Sequence, residues 1–126
     1  MKYEADSSSL SLIDLGFKVF PLEEDAEPDL KFKIEVETPD ISAEYFRVLW
    51  DLSLVFSPLF SVHASYEMDV RSVESKSVEK EGILTEASYP VLAEFSLLVS
   101  TLTQAVGVVP LVISPSEFRE LAGIGE

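Results

Sequence analysis

Four stretches of the chain alternate apolar and polar residues with a period of two. In LSLIDLGFKVF, Ile13, Leu15, Phe17 and Val19 fall on one face, against Asp14, Gly16 and Lys18. In DLKFKIEVET, Leu30, Phe32, Ile34 and Val36 oppose Lys31, Lys33, Glu35 and Glu37. EYFRVLWDLSLVF places Phe46, Val48, Trp50, Leu52, Leu54 and Phe56 together, and keeps Leu49 and Val55 on its other side. In FSVHASYEMDVR, Phe60, Val62, Ala64, Tyr66, Met68 and Val70 face away from Ser61, His63, Ser65, Glu67, Asp69 and Arg71. Alternation sustained over several pairs predicts strands with one buried face.

The breaks between these stretches, PLEEDAEP, TPDIS and SPL, are turn-like. Short connections favour antiparallel neighbours, although the first link is long enough to cross over the sheet. SVESKSVEKEGILTEAS then reads as the mobile end of the fourth strand and a charged linker.

Beyond it the period changes. Val91, Leu92, Phe95, Leu98, Val99, Leu102 and Val106 recur at helical spacing. Ser88 and Pro90 mark the start of this helix and Gly107 its end. Tyr89 to Val106 then spans roughly 27 Å, enough to lie across four strands. In SPSEFREL, Ser114 as N-cap, Pro115 at the first helical position and Glu117 two places later form a capping box. Phe118 and Leu121 give that short helix an apolar side.

The predicted class is α+β: a four-stranded antiparallel sheet followed by a long C-terminal helix and a short second helix. Residues 10–126 form the expected single domain, with residues 1–9 as a flexible N-terminal arm.

Composition narrows the function. Nine basic residues against 23 acidic ones give a net charge of −14, which repels nucleic-acid phosphates and anionic membrane surfaces. The chain has no cysteine, which excludes disulfides and thiolate metal sites. MKYEADSSSL lacks a signal-peptide core, and the apolar run around residues 105–113 is too short and broken to span a bilayer. A soluble, cytoplasmic protein is expected.

Chemistry is sparse. His63, the single histidine, lies between Ser61 and Ser65 on a polar strand face. Glu67, the nearer acid on that face, is about 13 Å away along an extended strand, too far to share a metal ion. No serine sits in a nucleophile elbow and no glycine-rich phosphate loop occurs. No cofactor, metal site or catalytic residue is expected. The acid run Glu23-Glu24-Asp25 suits a solvated turn or a docking patch for a basic partner.

Apolar surface is the more telling excess. A single helix covers four strands incompletely, and the residues from Val108 to Ile113 add another apolar stretch before the last helix.

The element order and the tail motif resemble the SecB family of export chaperones and their SecB-like relatives. The residues that carry the resemblance are Tyr89-Pro90, Gly107-x-x-Pro110 and Pro115-x-x-Phe118-x-x-Leu121. The chain departs from the family in four ways. The long helix looks one turn longer, Glu94 stands near where an Arg is usual, and the second helix is short. Phe17 and Pro21 also replace acids of the first strand that meet the SecA motor, a role Glu23 to Asp25 are placed to take over.

The resemblance implies an ATP-independent holdase for unfolded polypeptide clients, assembled as a homo-oligomer, dimer or tetramer. It also implies a client groove lined by Val109, Leu111, Ile113, Phe118 and Leu121, with Phe20 and Leu22 as secondary wall. Glu23, Glu24 and Asp25 become the docking patch for SecA or another basic partner. A SecB-like adaptor serving one dedicated partner, such as a toxin–antitoxin component, is the alternative.

Overall fold

The computed structural model describes residues 2–21, 27–38, 44–73, 79–107 and 110–124. Four strands, β1 (Tyr3–Val19), β2 (Asp29–Glu37), β3 (Tyr45–Ser57) and β4 (Phe60–Ser72), form one antiparallel sheet in the order β1-β4-β3-β2. Three helices follow: α1 (Lys80–Ala87), α2 (Tyr89–Ala105) and α3 (Pro115–Leu121). The α+β class and the four alternating strands stand as expected. The link from β1 to β2 is a crossover, because these two strands are the opposite edges of the sheet.

The central strands fold as their alternation dictates. β3 buries Phe46, Val48, Trp50, Leu52 and Leu54, and β4 answers with Val62, Ala64, Met68 and Val70. All of these lie on the helix-covered face. The outer face is polar: Arg47 on β3 donates to Asp69 (3.0 Å) and Glu67 (3.2 Å) on β4. The hydrogen bond to Asp69 leads the interactions that hold the guanidinium above its usual pKa.

β1 departs from its simple pattern. Its register against β4 shifts between Asp6 and Ser11 and again between Leu12 and Asp14. At the second shift Leu12 stands opposite Tyr66 and Leu15 opposite Ala64, so Ile13 is the inserted residue. One inserted residue reverses the face of everything before it. Leu15, Phe17 and Val19 keep unbroken alternation opposite Ala64, Val62 and Phe60, whereas Ile13 drops out of that face and Leu12, opposite Tyr66, takes its place. Ile13, Leu15 and Val19 are 41–54% exposed, and only Phe17 is half-buried.

The expected flexible arm is a correction. Tyr3 to Ser9 belong to β1, and Tyr3 is only 3% exposed. The backbone N–H groups of Lys2 and Tyr3 donate to the Glu86 carboxylate at 3.0–3.1 Å, and the Tyr3 hydroxyl accepts from the N–H of Glu79 at 2.9 Å. The same contacts correct the expected linker after β4, because residues 80–87 are helical. α1 is weakly amphipathic, with Ile83 and Ala87 its buried residues, and it forms against Tyr3. Gly82 lies so close to the Tyr3 ring that a Cβ would come within 2.7 Å of it. Packing, not sequence period, makes this helix.

α2 buries Val91, Leu92, Phe95 and Val99 over the sheet. Gly107 ends the helix region with φ of 80°, a left-handed conformation that glycine adopts without a Cβ clash. The connector to α3 is pinned from α2: Thr103 accepts from the Leu111 N–H at 2.9 Å, and Ser96 donates to the Ile113 carbonyl. The capping box is present, with Glu117 N–H to the Ser114 hydroxyl at 3.2 Å and Ser114 N–H to the Glu117 carboxylate at 3.3 Å. Phe118 then completes an aromatic triangle, 4.5 Å from Phe32 and 5.4 Å from Phe95 between ring centroids.

Candidate functional site

The connector before α3 is extended, so its side chains alternate. Leu111 is half-buried and Ile113 is 4% exposed, while Val112 between them is 71% exposed. Phe118 is fully buried and Leu121 is 42% exposed. Ile113 and Phe118, expected as groove wall, are therefore core residues that a bound chain would not reach. Their apolar character is used up by Phe32, Phe95 and the sheet. Leu121 remains available, and Val112 replaces Ile113 as the outward residue. Period two in Leu111-Val112-Ile113 carried that signal.

Phe20 is half-buried; its N–H donates to the Leu59 carbonyl at 2.8 Å, and the Lys18 ammonium lies 5.8 Å from its ring centroid. Val109, Leu22, Glu23, Glu24 and Asp25 lie outside the described residues.

Two shallow grooves open beside the helices. The first, of about 240 Å³, lies where β2, α1 and the end of α3 meet. Ile34, Leu84, Ala122 and Ile124 give it apolar walls, and Glu81 and Thr85 complete its lining. The Arg119 guanidinium on α3 ties α3 to the α1–α2 elbow, donating to the Thr85 carbonyl (3.0 Å) and the Ser88 hydroxyl (3.1 Å). The two helices bend there by 63°. No single helix among the described residues is long and apolar enough to cross a membrane.

The second groove, of about 230 Å³, lies between β1 and α2 and is lined by Leu12, Leu97, Leu98, Thr101, Tyr66 and Glu94. Burial, and secondarily the Glu94 carboxylate, push the Tyr66 phenol up to about 12. Leu97 and Tyr89 are both 63% exposed, and Leu12 and Leu15 extend the apolar surface on β1. Sequence reasoning passed over this surface. Its signal was Leu97, a leucine outside the buried stripe of the long helix. Each groove thus offers apolar walls and one carboxylate, an arrangement that holds apolar side chains and welcomes a cationic neighbour.

His63 has closer acidic neighbours than its own strand provides. Asp14 on β1 lies 3.9 Å from its Nδ1, and Asp51 on β3 lies 3.5 Å from its Nε2. Ser65 also donates to Asp51. The two carboxylates face opposite ring nitrogens and do not converge on one point. No cluster of three potential ligands suited to a metal ion occurs among the described residues.

No family model matches the chain, and no curated protein sequence does. Among solved structures, the chain is similar to the SecB-like chaperone Rv1957 of Mycobacterium tuberculosis, determined in complex with a ChAD peptide from the Rv1956 HigA1 antitoxin. The two share 14% sequence identity, with a TM-score of 0.65 over 90% of this chain and 88% of that one. At that identity the likeness is one of architecture: the four-stranded antiparallel sheet and its helices form a SecB-like fold.

Proposed function

We propose that this protein is an ATP-independent holdase that keeps non-native polypeptides from aggregating by seating their apolar side chains in the edge grooves. The observation that carries this reading is the collection of exposed apolar side chains at two open grooves on a SecB-like fold. Burying one client side chain yields about 1.5–3 kcal/mol. Ordering the client backbone costs about 1–2 kcal/mol per residue. One groove therefore holds a client loosely, and strong retention comes from several grooves acting on one chain.

That arithmetic favours a homo-oligomer in which the β2–α1–α3 groove, Leu121, Val112 and the α2–β1 groove of each copy face clients, and the same reading sets it in the cytoplasm. Phe20 and Leu22 extend the client surface at the crossover. Glu23, Glu24 and Asp25 offer a basic partner, SecA among them, a place to dock, which would link the holdase to export. The test is suppression of aggregation of a denatured client at equimolar chaperone without nucleotide. Unchanged aggregation sinks the reading.

A second reading rests on the SecB-like neighbour, whose bound segment is an antitoxin peptide. On it, the same surfaces serve one dedicated partner of a toxin–antitoxin pair. A general holdase binds a hydrophobic dye and releases it to many unfolded clients. A dedicated adaptor leaves aggregation of those clients unchanged.

A further inference from the structure

Two elements line the α2–β1 groove, and the bulge in β1 brings them into line. On α2, Glu94, Leu97, Leu98 and Thr101 stand at helical spacing along one side of the helix, about 10 Å from first to last. On the sheet, Tyr66 forms the floor. Leu12 joins it because the inserted Ile13 turns Leu12 to the helix side, opposite Tyr66.

The polar groups of this groove are left open. Tyr66 is only 4% exposed, yet its hydroxyl has no hydrogen-bond partner among the described residues. Glu94 is exposed, stands near enough to act on the Tyr66 phenol, and has no hydrogen bond or ion pair among those residues. A buried hydroxyl without a partner is costly, and covering it with a purely apolar side chain keeps that cost. An anion is repelled by Glu94. A cation that carries several donors satisfies both oxygens. Basic side chains also lay their aliphatic stems along apolar surface while the charged head stays at the rim.

We propose that this groove is a subsite for one basic side chain of a bound polypeptide, with arginine the better fit. Its stem lies along Leu12, Leu97 and Leu98, and its guanidinium donates to the Glu94 carboxylate and to the Tyr66 hydroxyl oxygen. The planar fork of arginine offers donors to both oxygens at once, where a lysine ammonium is a compact point charge. The β2–α1–α3 groove is charged differently. Arg119 donates to the carbonyl of Thr85, a residue of that groove's lining, and so adds a fixed cation to a site that also holds Glu81. Neutral apolar side chains suit that groove, and the basic one is directed to α2. The assignment rests on the client reading above, and its test separates the two.

The test uses two dansylated peptides that differ at one position, arginine in one and norleucine in the other, flanked by leucines in both. Fluorescence titration should show the arginine peptide binding roughly fivefold more tightly. Raised salt should narrow that gap. Glu94→Gln should close it and Tyr66→Phe should narrow it. Glu120→Gln removes the same charge from an exposed position on α3 and should leave the ratio as it is. Equal affinities in the wild type, or a gap that survives Glu94→Gln, overturn the subsite and leave the holdase reading standing. A gap that closes equally in Glu120→Gln overturns it too, because net charge and not the groove then carries the preference. If neither peptide binds while aggregation of a denatured client is still suppressed, the subsite falls alone. If aggregation is unchanged as well, both fall.

Discussion

The two free edges of the sheet, β1 and β2, are built to opposite plans. β1 runs for 17 residues with two register shifts against β4 and leaves Leu12, Leu15 and Val19 more than 40% exposed. β2 runs for nine residues with no shift, buries Phe32 and Val36, and charges its entire outer face. Bulges bend a strand and spoil its ladder, so β1 resists backbone pairing and offers side chains instead. β2 offers its backbone and governs access by charge. An edge can thus be guarded by shape or by electrostatics, and this fold uses one device at each side.

Each edge has its own support, and removing that support distinguishes them. The largest effect is expected from Phe118→Ala, which opens a cavity beneath Phe32. Urea unfolding should show a loss of about 4 kcal/mol. Hydrogen exchange should quicken in β2 before β1. Equal quickening at both edges would mean that the aromatic triangle supports the whole sheet and not one side.

Tyr3→Ala acts at the other edge. It removes the aromatic anchor and the hydroxyl that meets Glu79, for an expected loss of about 3 kcal/mol. Exchange should rise at the start of β1 and in α1 while the Asp29–Glu37 amides keep their protection.

Ser114→Ala removes half of the capping box and should cost about 1 kcal/mol, read as a lower urea midpoint with an unchanged slope. Because α3 carries Phe118, a further expected sign is slightly faster exchange in β2.

The smallest effect is a titration at the β1 side. Tyr66, at about 12 when folded, lies above the ordinary phenol value near 10. The folded protein holds this proton more tightly than the unfolded chain. Its contribution to stability is therefore full below pH 10 and fades between pH 10 and 12. Ultraviolet titration should show Tyr66 ionising late, and Tyr66→Phe should remove that late step. Glu94→Gln should lower that midpoint only in part, because burial is the larger cause.

Much of this contrast was readable in the chain itself. The alternation of β2, β3 and β4, the helical stripe from Val91 to Leu102, the glycine stop at Gly107 and the capping box at Ser114 are local rules, and they hold locally. What escaped depends on distant partners. Ile13 is an inserted residue only because β4 sets the register, and no window along β1 contains that information. α1 owes its form to Tyr3, whose binding partners lie far along the chain. Ile113 and Phe118 are as apolar as a groove wall should be. Only the positions of Phe32 and Phe95 show that they are already occupied.

The anchoring of Tyr3 also has a consequence for how the chain is made. Its hydroxyl waits for Glu79, 76 positions later, and its amide for Glu86, 83 positions later. At synthesis rates of about 5–20 residues per second, that delay is roughly 4–17 s. For most of it the apolar side chains of β1 lack β4, which is complete only at Ser72, and α1 follows later still. The newborn protein passes through an interval in which its own first strand is an exposed, unfinished segment.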